Sequence, residues 1–268
     1  EANSKLGLIA GITGAVAVVP AAGLLQLVNA SATLVFGAVL FAGGLAAATR
    51  LPPDVVAAEG PDAVETRELH SGNIELGVVA MTMLRAMVGF TLFHLAFWLR
   101  AQDQGTLWFG AVVGVSALAA MAGNAVASTL RTRVREETML VVSLGVCTAS
   151  GFAVAVLGGP FGAVLLAGVL NLMAALGRLS FESIVQRDAP GANRGRAFAV
   201  FETRFQLAWA LGAFVAVLVQ ADGWVGFVAV GVVAAATLVV VVRRRSVQAG
   251  VSRGGRGRAR GQGPRSRS

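Results

Sequence analysis

Residues 78–98 are apolar enough to cross a bilayer, yet they carry Arg85 near the middle and His94 nine positions later. On insertion scales, an arginine at the centre of a spanning helix costs about 2.5–3.5 kcal/mol, whereas each Leu, Phe or Val contributes only about −0.3 to −0.6 kcal/mol. The apolar neighbours still favour insertion, but the guanidinium needs a partner or a polar cavity. Arg85 is therefore a candidate functional residue.

A second polar pattern lies nearer the end of the chain. Four side chains follow spacings of four, four and three, which place them on one helical face: Phe198, Glu202, Gln206 and Trp209. An acid, an amide and an aromatic ring on a shared face can bind a cationic or amphipathic organic solute. The alternative is that Glu202 lies near the membrane surface and pairs with Arg196 or Arg204.

Arg85 and His94 cannot share a face, because nine residues correspond to about 180° around a helix. If Arg85 faces a central cavity, His94 faces a neighbouring helix or headgroups. A histidine can relay protons near neutral pH, and the alternative is a satisfied packing residue. The candidate substrate-binding or coupling residues are Arg85, Glu202, Gln206, Trp209 and His94.

Composition indicates which elements position these residues. The chain has 268 residues, of which 56% are hydrophobic and 13% are charged, whereas soluble domains carry about 25% charged residues. The runs are long and lack polar alternation, which favours helices over barrel strands. The sequence predicts an all-α, polytopic membrane protein with eight transmembrane helices at 6–28, 32–48, 76–99, 107–129, 138–157, 161–181, 197–218 and 224–242.

The sequence offers little for catalysis or metal binding. Cys147 is the single cysteine, so no intrachain disulfide forms, and two histidines far apart argue against a zinc site. No HExxH, GxSxG or intramembrane aspartate pair is present, which argues against a membrane-embedded protease or lipid transferase. We expect a protein that is not an enzyme and has no metal or cofactor.

Charges between the predicted spans fall mainly on one side of the membrane. That side carries Lys5, Arg50, Arg67, Arg131, Arg133, Arg135, Arg178, Arg187, Arg194 and Arg196, and the other carries Arg100. The positive-inside rule makes the first side cytoplasmic, with both termini inside. Trp98, Trp108 and Trp224 lie at the edges of the predicted outer connections, where an aromatic belt is expected.

The basic tail accounts for the net charge of +8. Nine arginines lie within 243–268, and without them 13 basic residues remain against 14 acidic ones, a charge of −1. The tail resembles Arg-Gly segments that bind RNA. A disordered cytoplasmic tail on anionic lipid headgroups is the favoured interpretation, and no nucleic-acid partner is expected.

Residues 50–73, with three of the seven prolines, read as a linker between membrane units. We expect four segments: the last two helices of an N-terminal half (1–49), this cytoplasmic linker (50–73), a C-terminal six-helix half (74–242) and the tail (243–268). A faint repeat supports two halves, since Ala2, Asn3 and Thr13 match Ala192, Asn193 and Thr203 at an offset of 190. The chain then looks like a fragment without its first four helices.

Three stretches resemble the bacterial drug-exporter-like branch of the major facilitator superfamily. They are MTMLRAMVGFTLFHLAFWLR after the linker, the loop QRDAPGANRGRAFAVFET, and GITGAVAVVPAAGL, which keeps Pro20 and Gly23 of a glycine-rich exporter motif. In the loop motif GNAVASTLRTRVREE, Gly123 and Arg131 match, but Ala127 replaces the family's aspartate. By this register the eight spans resemble family helices five to twelve.

The resemblance implies a secondary active transporter that exports a small organic solute by alternating access, with proton coupling through Glu202 or His94 left open. It also implies that Arg85 and Glu202 lie on neighbouring helices that line the cavity. Counted from the cytoplasmic helix ends, their depths differ by roughly 6 Å, which a long arginine side chain can reach, so we predict an ion pair between them. We expect a monomer in the lipid bilayer of a bacterial cytoplasmic membrane. The alternatives are a complete eight-helix permease and a non-transporting membrane scaffold.

Overall fold

A computed structural model describes residues 20, 23–24, 27–50, 63–103, 105–130 and 133–261. Every regular element in these ranges is an α-helix: α1 Ala30–Ala48, α2 Ala63–Leu69, α3 Gly72–Arg100, α4 Gly105–Leu130, α5 Glu136–Leu157, α6 Gly159–Asp188, α7 Arg194–Val219 and α8 Gly223–Gly261. Seven of these helices, all except α2, are long and apolar enough to cross a membrane. The prediction of an all-α polytopic membrane protein is confirmed.

The predicted span at 6–28 lies mainly outside the described residues, and the other seven each coincide with a helix. The helices are longer than the apolar runs, because a helix begun in hydrocarbon gains one hydrogen bond for each added residue without a second nucleation step. The largest difference is at α8, which continues from the predicted end at Val242 to Gly261. Residues 243–261 are therefore helical here, where a disordered tail was predicted, and 262–268 lie outside the described residues.

Contacts divide the chain into two units, residues 1–59 and 60–268. In the first unit, α1 begins at an Asn29 cap, whose Oδ1 accepts the Ala32 N–H at 2.8 Å. None of the residues of α1 is buried. The division falls within the predicted linker 50–73, of which residues 51–62 are outside the described ranges.

The second unit is built around α3, which packs against α6, α7 and α8. Around it, α6 also packs against α4 and α5, and α5 packs against α8. Fully buried side chains such as Phe181, Phe227, Leu84 and Leu144 fill the space between these helices. Arg85 lies in the central part of α3, within this packed unit.

Polar contacts show that α6 runs opposite to α3 and α5. Asn73 at the start of α3 donates to Asp188 at the end of α6 (2.9 Å), and Arg187 donates to Glu136 at the start of α5 (3.0 Å). These residues define what we call the charged end of the unit. At the opposite end, the backbone of Gly223 lies against the Trp98 ring. The charged end is the one predicted to be cytoplasmic, and this orientation stays a prediction.

A glycine pair makes the shortest connection in this unit. Gly158 and Gly159, between α5 and α6, have φ of 64° and 71°, a backbone conformation that L side chains rarely adopt. The chain therefore reverses direction within about one residue, and Pro160 follows in the first turn of α6.

Glycines allow a close approach between α3 and α7. A Cβ atom at Gly89 would overlap the backbone carbonyl of Trp209, and one at Gly212 would overlap the carbonyl of Ala86. Each helix thus places a glycine against the other helix's backbone, as small residues do where membrane helices pack closely. This contact fixes the position of α7 relative to Arg85.

Candidate functional site

Arg85 has a carboxylate partner on the adjacent helix. Its Nη2 lies 3.5 Å from Oε1 of Glu202 on α7, and the two side chains are 22% and 38% exposed. The predicted ion pair between Arg85 and Glu202 is therefore present. The pair explains how a permanent charge is accommodated at the middle of α3.

Glu202 is contacted by two further groups. Gln206 Nε2 donates to its Oε1 at 2.7 Å, and Arg178 Nη2 on α6 lies 3.7 Å from its Oε2. Arg178 also donates to Glu182 Oε1, at 3.0 Å. We call these five residues the Arg85–Glu202 cluster. Its two guanidinium groups and two carboxylates give a formal charge of zero, and they link α3, α6 and α7.

Helical spacing explains how the cluster forms. Glu202 and Gln206 are four residues apart on α7, and Arg178 and Glu182 are four apart on α6, so each pair shares a face. The structure places Arg85 and Arg178 beside Glu202, and not the alternative partners Arg196 and Arg204. Exposure of Arg178 (51%) and Glu202 (38%) leaves one side of the cluster accessible.

The remaining members of the predicted polar stripe pack between helices. The Trp209 ring meets Phe93 of α3 edge-on, with centroids 5.9 Å apart, and its backbone carbonyl lies against Gly89. Phe198 is partly buried against the core. Trp209 therefore lies in the α3–α7 contact, about two turns along α7 from Glu202, and a substrate-binding role for it stays a prediction.

His94 is on the other side of α3, as its offset from Arg85 predicted. It is buried, stacks on Phe90 with centroids 5.5 Å apart, and meets Phe227 of α8 edge-on at 6.3 Å. Its Nε2 is 3.4 Å from the carbonyl oxygen of Gly223, and its ring occupies the space where a Cβ at Gly226 would lie. The structure brings Arg85, Glu202 and Gln206 together and places His94 elsewhere.

Sequence reasoning missed two members of the cluster. Arg178 was assigned to the cytoplasmic loop charges, and Glu182 was not considered as a partner for it. The signal was present, because Arg178 lies inside the predicted span 161–181 and precedes Glu182 by four residues. An arginine within a predicted span needs the same explanation as Arg85.

A second group of charges joins α5 and α6 at the charged end. Arg187 donates to Glu136 Oε2 at 3.0 Å, Glu137 Oε1 at 2.6 Å and Asp188 Oδ1 at 2.7 Å. Ser183 donates to the other oxygen of Glu136 at 3.1 Å. Glu137 is a buried residue, and its hydrogen bond from Arg187 supplies a charged donor to its carboxylate.

Metal binding finds no support in the described residues. Within them, no group of three His, Cys, Asp or Glu side chains is close enough to hold a metal ion. Cys147 is fully buried in the core. The expectation that the protein uses no cofactor stays a prediction.

Taken together, the helices define a polytopic α-helical membrane protein with a charged cluster inside its second unit. The chain is 30% identical over 156 residues to an uncharacterized protein of Mycobacterium leprae (strain TN), ML2143. The match covers 55% of this chain and 26% of that relative, so it spans about a quarter of the relative's length. No family model matches the chain, and no solved structure matches it.

Proposed function

We propose that this chain is part of a secondary active transporter of the major facilitator superfamily, from its exporter-like branch. The observation that carries the proposal is the Arg85–Glu202 cluster. Ionisable residues at the middle of spanning helices are costly, and they commonly mark substrate or ion pathways. The family register also implied that α3 and α7 are neighbours, and the glycine contact between them agrees with that expectation.

Glu202 is the proposed coupling group. When its carboxylate is charged, it attracts Arg85 and Arg178 and so holds α3, α6 and α7 together. When it binds a proton, that attraction weakens, and the two guanidinium groups become available to a solute or water. A proton bound on one side and released on the other would then drive an opposite movement of a small organic solute, which is antiport.

The protein is expected to work as a monomer in a bacterial cytoplasmic membrane, with both termini inside and without enzymatic activity. The accessible side of the cluster, beside Arg178 and Glu202, is the proposed path for the solute. The chain spans about a quarter of the length of the relative it matches. The transport activity is therefore proposed for the whole protein to which the chain belongs.

Transport into proteoliposomes tests the function. The protein encoded by the whole reading frame that contains this chain is purified and reconstituted, a proton gradient is imposed, and a panel of fluorescent organic cations, anions and neutral amphipathic dyes is followed. We expect gradient-dependent movement of at least one dye, lost on dissipating the gradient and lost in Glu202→Gln. The matched control is Asp103→Asn, which removes an exposed acid at the opposite end of the unit.

Two outcomes would count against the proposal. If no dye moves with the wild-type protein of the whole reading frame, folded and inserted, the protein is not a transporter of this class. If Glu202→Gln moves dye with an unchanged dependence on the proton gradient, Glu202 is not the coupling group.

A further inference from the structure

A cavity of about 520 Å³ opens near the charged end, away from the Arg85–Glu202 cluster. It lies between α7 and α8, which both pack on α3 and have little direct contact with each other. Residues of all three helices line it, and Leu69 and His70 close one side. The cavity is therefore a crevice between two membrane helices that has α3 as its floor.

The charge of this crevice is mainly positive. Its lining includes Arg196, Arg204 and Arg244 against one acid, Glu75. Arg204 and Arg244 are exposed, and neither forms an ion pair with another residue in the described ranges. Two cations on different helices thus face one opening. Such an arrangement attracts a ligand that carries a phosphate or another compact anion.

The inner walls of the crevice are apolar. Val78 and Val79 of α3 form part of the floor, and Val200 and Phe201 of α7 line a wall. Val200 is 62% exposed, so this wall is accessible from the side of the bundle. Arg204 follows Glu202 by two positions, about 200° around α7, so the crevice opens on the face opposite to Glu202.

We propose that this crevice binds an anionic phospholipid. The phosphate would lie between Arg204 and Arg244, and an acyl chain would follow Val200 and Val79. Arginine side chains next to apolar helix surface at the membrane interface suit a molecule that is anionic at one end and apolar at the other. The bound lipid would bridge α7 and α8, which the protein itself joins only weakly at this end. This inference does not depend on the transport proposal.

Lipid retention by the purified chain is the first test. The chain in neutral detergent is titrated with phosphatidylglycerol or phosphatidylcholine, and bound lipid is counted by native mass spectrometry. We expect phosphatidylglycerol to be retained and phosphatidylcholine not. In the double variant Arg204→Gln/Arg244→Gln, the apparent affinity for phosphatidylglycerol should fall about tenfold or more. The matched control, Arg67→Gln/Arg133→Gln, removes two exposed arginines outside the crevice and should fall less than about twofold.

A second pair of measurements separates a phospholipid from a free phosphate compound. Val200→Trp fills the apolar wall at an exposed position and should lower phosphatidylglycerol retention while leaving the thermal midpoint unchanged. Glycerol phosphate added alone should neither raise that midpoint nor displace the lipid. The proposal is overturned if glycerol phosphate displaces the lipid at equal concentration, if phosphatidylcholine is retained equally, or if the control pair loses as much affinity as the crevice pair.

Discussion

Arg85 of α3 and Glu202 of α7 are joined by an ion pair at 3.5 Å, and the two helices touch backbone to backbone within about one turn of Arg85. The pair is only partly exposed, and hydrocarbon surrounds the helices in a membrane. Removing one partner should therefore cost between about 1 kcal/mol, as for an exposed pair, and about 3 kcal/mol, as for a buried one. Arg85→Ala and Glu202→Ala should each lower the thermal midpoint in detergent.

A charge reversal distinguishes pairing from a general need for these side chains. Arg85→Glu and Glu202→Arg alone should each reduce membrane-inserted protein, whereas the double variant should restore most of it. Arg178 will partly oppose the new arginine at position 202, so we expect incomplete recovery. Abundance of the double variant no higher than that of the weaker single variant would show that the contact contributes nothing.

Part of this site could be predicted from the sequence, and part could not. The ion pair was predictable, because an arginine in the middle of a span needs a counter-ion and few carboxylates lie within the spans. The face of His94 was predictable from its nine-residue offset. Glu182 was missed as a partner for Arg178 because the apolar run of α6 ends near residue 181, although the helix continues to Asp188. Hydropathy locates hydrocarbon-spanning residues, but it does not locate the ends of helices that continue beyond them.

The residues at which neighbouring helices touch are the part that the sequence could not supply. Nothing in the spacing of Gly89 and Gly212 shows that each opposes a backbone carbonyl of the other helix, since that depends on how α3 and α7 are placed in three dimensions. The same holds for the crevice between α7 and α8. Its arginines lie on separate helices, and their proximity is visible only in the folded chain.

The glycine contact leads to a stability prediction. Gly89→Ala or Gly212→Ala would force α3 and α7 apart, so each should destabilise the protein by about 1–3 kcal/mol. Gly114→Ala on α4 is the matched control, because a Cβ there meets nothing within 4 Å. Thermal unfolding in detergent measures the difference. Midpoints for Gly89→Ala and Gly114→Ala that agree within error would refute the close approach.

His94 should act by packing rather than by carrying protons. His94→Ala removes a buried ring between Phe90 and Phe227 and should destabilise the protein by about 3 kcal/mol. His94→Gln keeps a polar group near the Gly223 carbonyl and should leave the pH dependence of dye transport unchanged. A folded His94→Gln protein whose transport no longer responds to the proton gradient would instead make His94 a coupling residue.

Arg187 should contribute measurably to the joint between α5 and α6. Arg187→Ala leaves the buried Glu137 without its 2.6 Å partner, and the arginine is 42% exposed, so we expect a loss of about 1–2 kcal/mol. The control is Arg135→Ala, whose side chain is 76% exposed and lies 3.6 Å from the same carboxylate. That change should cost less than about 0.5 kcal/mol by thermal unfolding. Equal losses for the two variants would contradict a specific role for Arg187.

The orientation of the bundle rests on the distribution of arginine and lysine, and labelling of single cysteines tests it. The background is Cys147→Ala, which removes the natural buried thiol. Cysteines replacing Asp103 and Asp222, both exposed at the end opposite the charged one, should react with a membrane-impermeant maleimide added to intact cells. Cysteines replacing Arg133 and Gln186, exposed at the charged end, should react only after the membrane is opened. All four positions lie in solvent-exposed parts of the described chain, so poor access within the protein does not explain a negative result. The reverse pattern would place the charged end outside and move the proposed phospholipid crevice to the outer leaflet.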